Sequence, residues 1–395
     1  MKRILITNYN NYILTCFEED GSFYEINLTN PKTSILGNIY VGRIEKKIKN
    51  IHAYFVSYGT NETAFLSEED CNNPIILSTP SKKNSLVEGS LVLIQISKEA
   101  IKSKDPTVTT NISLKGKYCI IDGNKNTLRF SSKLSKRRRN QIIMEPFLLA
   151  NPNFGIIIRT SANDLKKESY HRITDEISKL NNEMENLLSK VHALKVHSLV
   201  YKAEDPYLTK LRDLDLQKFT KITTDDPIIF NQLSTYFQEN FFSHLQLLTY
   251  YNDTSYSLNK LNQIDKKLEE IQNKLVNLKN GASLVFEQTE AMNIIDVNSG
   301  TSIKGTSRED TFFKINRLAA KEIARQIRLR NLSGIIIIDF INMKEKSNID
   351  NLIMFLIDLI KKDPIKTQFI DITKLGLIEL TRKRISPSIK EQLLT

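Results

Sequence analysis

SLVFEQTEAMNIIDVNSG, residues 283–300, and GIIIIDF, residues 334–340, frame the part of the chain on which its fold is read. The first reads as a hairpin whose second strand ends at Asp296. Between them, REDTFFKINRLAAKEIARQIRLRN (308–331) repeats apolar residues at helical spacing, and Leu332–Gly334 breaks it. GIIIIDF is wholly apolar up to Asp339 and reads as a buried strand. Strand, helix and buried strand make a βαβ unit, whose two strands run parallel. Open α/β sheets hold ligands at the carboxyl ends of their strands, which is where both aspartates then lie. A second helix (348–361) and strand (367–372) are expected to repeat the pattern.

Two aspartates on neighbouring strand ends, with Asn298 close behind the first, form a hard-oxygen site. Mg²⁺ is commonly held by one or two carboxylates, with waters and phosphate oxygens completing its octahedron. By strand alternation Asn298 faces the same side as Asp296, so its amide can donate to a phosphate held there. The plainer alternative is that strand-end aspartates only cap the turn that follows.

Residues 37–114 are β in texture: GNIYVGRIEKKI, HAYFVSYG, TAFL and SLVLIQISKEAI alternate apolar and polar residues between Gly and Asn turns. That pattern suits a small closed barrel. Phe55 and Phe65 fall on successive strands, either as core fillers or as a stacking platform for bases. The following region holds the basic run SKLSKRRRN (132–140), either a solvated face or a contact for a polyanion. GIIIRTSAND (155–164) reads as a buried strand ending in Arg159, Thr160 and Ser161, whose donors can hold a phosphate in a turn. Residues 1–35 read as short strands, 165–195 as helical and 207–250 as mixed. Residues 256–279 read as one amphipathic helix stopped by Asn280–Gly281.

At 395 residues the chain exceeds one compact core, and roughly two to four sub-domains are expected. Its 56 Lys and Arg against 45 Asp and Glu leave a formal charge of +11, which favours a polyanionic partner, nucleic acid ahead of membrane. The abundance of Lys, Ile and Asn also matches an AT-rich genome, bacterial or plastid. No apolar run approaches the ~18 residues of a membrane span, and the start carries no secretory pattern. Cys16, Cys71 and Cys119 form no CxxC pair, which sets aside zinc ribbons and thioredoxin chemistry and points to a reducing compartment. The histidines offer no pair for general acid/base cleavage.

EQTEAMNIIDVNSG (287–300), IARQIRLRNLSGIIIIDFINM (323–343) and KLGLIELTRKRISPSI (374–389) closely resemble the catalytic core of the ribonuclease E/G family. Upstream, GNIYVGRIEKKI, AYFVSYG and AFL resemble that family's OB-type RNA-binding barrel, and GIIIRTSA its 5′-phosphate sensor. The resemblance runs over nearly the whole chain. It implies an α/β multi-domain fold: an RNase H-like part from residues 1–35 and 207–277, an inserted OB-type barrel at 36–115, a sensor at 116–206 and a DNase I-like catalytic sub-domain at 278–395. It implies a Mg²⁺-dependent endoribonuclease that cuts single-stranded AU-rich RNA and is stimulated by a 5′-monophosphate. Processing of rRNA and tRNA precursors and decay of mRNA are the implied roles, in a bacterial cytoplasm or a plastid stroma.

Matched by position, Asp296 and Asp339 hold the metal and Asn298 orients the scissile phosphate. Phe55, Phe65 and Lys104 contact RNA; Arg159 and Thr160 bind the 5′-phosphate in a pocket lined by Gly116 and Ile120. The chain departs from the family pattern in four places. No cysteine pair follows Ser386–Ser388, so neither zinc nor a zinc-linked dimer is expected, although another homo-oligomer remains open. The long scaffolding tail is not expected either. Leu318 stands where an acidic residue is usual, and Ser57 replaces an aspartate in the barrel. The rival reading is a non-catalytic RNA-binding protein derived from the same family.

Overall fold

A computed structural model describes residues 1–31, 34–80, 85–100, 105–123, 127–143, 154–240, 242–300 and 307–394. The chain divides into two compact units: Met1–Pro31 with Asp215–Thr395, and Lys32–Leu214. The contiguous second unit thus interrupts the first in sequence.

The first unit opens with an antiparallel meander, β1 (Lys2–Tyr9), β2 (Tyr12–Glu19) and β3 (Ser22–Thr29). Asp20 and Gly21 join β2 to β3 at φ 49° and 79°, the double positive φ that a tight right-twisted hairpin requires. Ile4, Leu5 and Ile6 are all buried, so both faces of β1 are covered.

In the second unit, β4 (Ile39–Ile48), β5 (Ala53–Gly59), β6 (Glu62–Ser67), β8 (Leu91–Lys98) and β9 (Thr107–Thr109) close into a five-stranded barrel, because β4 pairs with both β5 and β8. The short strand β7 (Ile76–Ser78) hangs on β8. Ile44, Val56, Ala64, Leu66, Val92, Ile94 and Val108 fill the interior. Gly42 is required there: a Cβ would meet Val56 Cγ1 at 2.7 Å and Ile94 Cδ1 at 2.8 Å. The barrel is followed by a four-stranded sheet of β10 (Ser113–Lys115), β11 (Cys119–Asp122), β12 (Leu128–Phe130) and β13 (Gly155–Ile158), in the order β10-β11-β13-β12. Helix α1 (Lys136–Ile143) follows β12. Helix α2 (His171–Lys190) buries Ile173, Ile177, Leu180, Met184 and Leu187, one apolar stripe at helical spacing. Strand β14 (Leu199–Tyr201), on the other edge of β4, and helix α3 (Pro206–Arg212) complete the unit.

Back in the first unit, β15 (Lys221–Thr224) and β16 (Leu248–Tyr250) join β1 in parallel, with α4 (Pro227–Asn240) between them. Here the expectation of one helix over 256–279 fails. The chain forms α5 (Leu258–Leu261) and α6 (Ile264–Gln272), broken at Gln263 with φ 51°, and then a strand, β17 (Leu275–Asn277). Pairing of β17 with β18 (Ser283–Gln288) overrides the local helical spacing, and Asn280–Gly281 closes a hairpin, not a helix.

A six-stranded sheet follows, in the order β17-β18-β19-β20-β22-β21, with β19 (Met292–Asn298), β20 (Gly334–Asp339), β21 (Thr367–Ile372) and β22 (Ile378–Arg382). Strands β19 and β20 are parallel, linked through α7 (Arg308–Leu329), as the βαβ reading expects. Ser307 caps the start of α7, its hydroxyl accepting from Asp310 N at 3.1 Å. Asn331, at φ 52°, ends it: Leu332 N donates to Ile327 O and Asn331 N to Arg328 O, the paired bonds of a Schellman stop. The expected second repeat is altered. Helix α8 (Lys346–Ile360) leads to β21, but β22 lies antiparallel between β20 and β21, so the second βαβ repeat is split. Helix α9 (Ile389–Leu393) ends the described chain. No helix among the described residues is long and apolar enough to cross a membrane.

The start of β20 is held by Arg382, 3% exposed, which pairs with Asp363 at 2.8 Å and donates to Asn331 Oδ1 and Leu332 O. Removing one member of such a pair leaves a buried charge uncompensated. Asp363→Ala should therefore destabilise the first unit by about 3–5 kcal/mol, read from the urea midpoint; a loss below about 1 kcal/mol would contradict this role.

Candidate active site

Ile295 and Val297 on β19, and Ile336 and Ile338 on β20, turn into the core beneath α7 and α8. A strand alternates its side chains, so Asp296, Asn298 and Asp339 share the opposite face. The parallel register sets Asp296 directly across from Asp339, on strands about 4.8 Å apart. Asp339 closes β20 as expected, whereas β19 runs past Asp296 to Asn298, which pairs with Ser283. Asn298 Nδ2 donates to Asp296 Oδ2 at 2.8 Å. Asp296 is half-buried; Asn298 and Asp339 are exposed.

Two like charges in register repel unless a cation lies between them. Two carboxylates are hard oxygen donors that suit a divalent ion such as Mg²⁺. No group of three or more His, Cys, Asp or Glu that could hold a metal is found among the described residues. At this pair, waters and substrate oxygens would have to complete the coordination shell, the usual state of Mg²⁺ at a phosphate site.

On the barrel, Phe55 and Phe65 are paired across β5 and β6, ring centroids 6.4 Å apart and planes at 78°. Both are half-exposed, and their neighbours Val56, Ala64 and Leu66 occupy the interior. The rings therefore stand on the barrel's outer side and are not core fillers. Lys104 lies outside the described residues. Ser57, where an aspartate was expected, donates to Glu45 Oε1 at 2.6 Å and sits 2.9 Å from His197 Nε2. Leu318 is an exposed side chain of α7.

Arg159 follows β13 directly. Its Nη1 donates to Gly116 O at 2.5 Å, and its two Nη atoms donate to the two carboxylate oxygens of Asp213, each at 2.7 Å. The fork expected for a phosphate is thus closed on a carboxylate of the same unit. Burial alone would raise the Asp213 carboxyl, but the hydrogen bonds and charges of Arg159 and Arg212 outweigh it and hold it below the usual range. Arg212, 7% exposed, also donates to Lys115 O and Glu204. Thr160 Oγ1 lies 2.8 Å from Ser131 Oγ, and Ser161 donates to Lys117 O. Ile120 is half-buried on β11, across from Lys115 and Ile157.

The turn after β10 is tied from both sides. Arg159 takes its Gly116 carbonyl, while the Glu176 carboxylate accepts from the amides of Lys117, Tyr118 and Cys119 at 2.6, 2.7 and 2.9 Å. A Cβ at Gly116 would fall on the Glu176 carboxylate. Part of the basic run turns inward: Arg138 donates to Asn163 O, Leu165 O and the Tyr170 hydroxyl, and Arg139 to Leu134 O and Ser131 O. Lys133, Lys136 and Arg137 remain exposed. Sequence reasoning missed Asp213, Glu176 and Ser131; no spacing signal links Asp213 to Arg159, 54 residues away.

A profile of the Ribonuclease E/G family matches residues 113–385. The chain is 29% identical to "Ribonuclease G" of Haemophilus influenzae, over 95% of this chain and 78% of that protein. It is 30% identical to a "Ribonuclease E/G-like protein" of Porphyra purpurea, over 90% and 70%. It is 29% identical to "Ribonuclease E" of a Nostoc species over 90% of this chain, and spans about half the length of that protein, 52%.

Gly116→Ala should push Glu176 off the three amides it caps. Hydrogen exchange at Lys117, Tyr118 and Cys119 should then accelerate at least tenfold, and unchanged protection would contradict the arrangement.

Proposed function

The chain belongs to the ribonuclease E/G family, and from that premise we propose that it is a Mg²⁺-dependent endoribonuclease acting on single-stranded, AU-rich RNA. The observation that carries this reading is the in-register pair Asp296 and Asp339, with Asn298 bonded to the first. Asp296 and Asp339 hold the ion. A Mg²⁺ bound there supplies Lewis-acid polarisation of a phosphoryl oxygen and a lowered pKa for a bound water. The Asn298 amide has two N–H groups; one is spent on Asp296, which leaves the other to orient the scissile phosphate.

The closed barrel, taken as an OB-type RNA-binding domain over 36–115, offers Phe55 and Phe65 as stacking faces, with Lys104 as a basic contact. Residues 116–206 serve as the 5′-phosphate sensor, through Arg159 and Thr160 beside Gly116 and Ile120. Because Asp213 already fills the Arg159 fork, a 5′-monophosphate would bind by displacing one anion with another. The remaining segments fit an RNase H-like part over 1–35 and 207–277 and a DNase I-like catalytic sub-domain over 278–395. Processing of rRNA and tRNA precursors and decay of mRNA follow as its roles, in a bacterial cytoplasm or a plastid stroma.

Incubation with a 5′-monophosphorylated AU-rich oligonucleotide should give Mg²⁺-dependent cleavage with 5′-phosphate and 3′-hydroxyl ends. Asp296→Asn and Asp339→Asn should each abolish cleavage and keep RNA affinity within about threefold. Products ending in a 2′,3′-cyclic phosphate would sink the hydrolytic mechanism. RNA binding without cleavage in the wild type would leave the non-catalytic RNA-binding reading.

The wild type should cut 5′-monophosphorylated RNA faster than 5′-hydroxyl RNA. Arg159→Lys should lose that preference nearly as fully as Arg159→Ala, since lysine lacks the planar fork. Equal rates on both substrates in the wild type, or a full preference in Arg159→Ala, would rule the sensor out.

A further inference from the structure

The sheet face that carries Asp296 and Asp339 continues from them as an apolar floor. Strand β20 reads GIIIID, with no polar side chain on either face before Asp339. A strand with one face in water would alternate apolar and polar residues. By alternation, Ile294 on β19 and Ile335 and Ile337 on β20 stand on the aspartate side, away from the core under α7 and α8. The register pairs Ile294 with Ile337 and Met292 with Ile335, the two rungs that precede Asp296 with Asp339 on that face. Ile294 is 38% exposed and Ile335 49%, while Met292 and Ile337 are half-buried. Val285 of β18 lies across from Asp296 and widens the floor.

Isoleucines offer a phosphate no donor, so the floor suits a base and not a sugar-phosphate backbone. Carboxylates flank it: Glu287 across from Ile294, held by Lys274 at 2.9 Å, and Glu379 across from Ile337. A second copy packed through the same face would set these carboxylates and the aspartate pair against their like. The floor is continuous with the Asp296–Asp339 pair, since rungs on one face are two residues, about 6.6 Å, apart along the strand. A nucleotide whose phosphate lies at the aspartates has its base within reach of Ile294 and Ile337. Flat bases pack against apolar side chains, and single-stranded RNA brings bases that have left their stack.

Resting on the endoribonuclease reading above, we propose that Ile294 and Ile337 seat the base of a nucleotide next to the scissile phosphate. The seated base turns the phosphodiester toward the aspartate pair. The two isoleucines touch the substrate and take no part in bond breaking.

The test measures kcat/KM on a 5′-monophosphorylated AU-rich oligonucleotide with one cut site, and on two copies of it that carry an abasic ribose on one or the other side of that site. On the wild type, one of the two abasic substrates should be cut at least tenfold more slowly than the intact one. Ile294→Ser should slow the intact substrate by a similar factor and leave the abasic substitution with less than a threefold further effect. Ile294→Val, which keeps the apolar surface, should behave as the wild type. Mn²⁺ affinity should stay within about twofold in Ile294→Ser, a result that a displaced aspartate would not give. Equal cleavage of all three substrates by the wild type overturns the proposal, as does an abasic penalty that persists in full in Ile294→Ser. A dimer in sedimentation that Ile294→Ser dissociates would give the face to a second copy and overturn it as well. A wild type that cuts none of the substrates contradicts the hydrolytic reading itself, and this inference with it.

Discussion

The parallel register of β19 on β20 is the constraint on which the candidate active site depends. It pairs Ile294 with Ile337, Ile295 with Ile338 and Asp296 with Asp339. A slip of one residue would turn Asp339 to the helix side and bring Phe340 or Ile338 beside Asp296. Burial of Ile295, Val297, Ile336 and Ile338 under α7 and α8 prevents that slip. The apolar face thus does more than stabilise the sheet, because it selects which two carboxylates meet. The Schellman stop at Asn331 and the Arg382–Asp363 pair then fix where β20 begins. The position of one exposed carboxylate is set by buried groups at the far end of its strand.

In the second unit, charged side chains set the geometry of the turn after β10. Arg159 and Glu176 grip the same turn through opposite backbone groups, one taking a carbonyl and the other three amides. Asp213 then occupies the arginine fork that a phosphate would need. A preformed cation with an internal counter-ion is stable without ligand, and it answers only to an anion able to compete with a bidentate carboxylate. In the proposed sensor, such an anion would be a doubly charged terminal phosphate and not the singly charged diesters along an RNA chain.

Much of this was legible in the sequence where one local period dominates. The βαβ unit, the barrel strands and the facing of Asp296 with Asn298 all follow from alternation or helical spacing. The 256–279 segment was misread because its helical spacing competes with a strand pairing, β17 on β18, that no local pattern reveals. The split second repeat was hidden for the same reason: β22 enters between β20 and β21 from later in the chain. Alternation left Phe55 and Phe65 ambiguous, since a barrel strand has an inner and an outer face, and only closure assigns the rings to the outer one. Asp213 could not be read at all, because an ion pair across 54 residues leaves no periodic trace.

Asp296 and Asp339 are proposed to share one divalent ion. Titration of Mn²⁺ into the full chain, followed by electron paramagnetic resonance of the free ion, tests this without any substrate. One Mn²⁺ per chain should be taken up and displaced by Mg²⁺, and Asp296→Asn and Asp339→Asn should each weaken it at least tenfold. Uptake of the same ion with undiminished affinity in either variant would contradict the account.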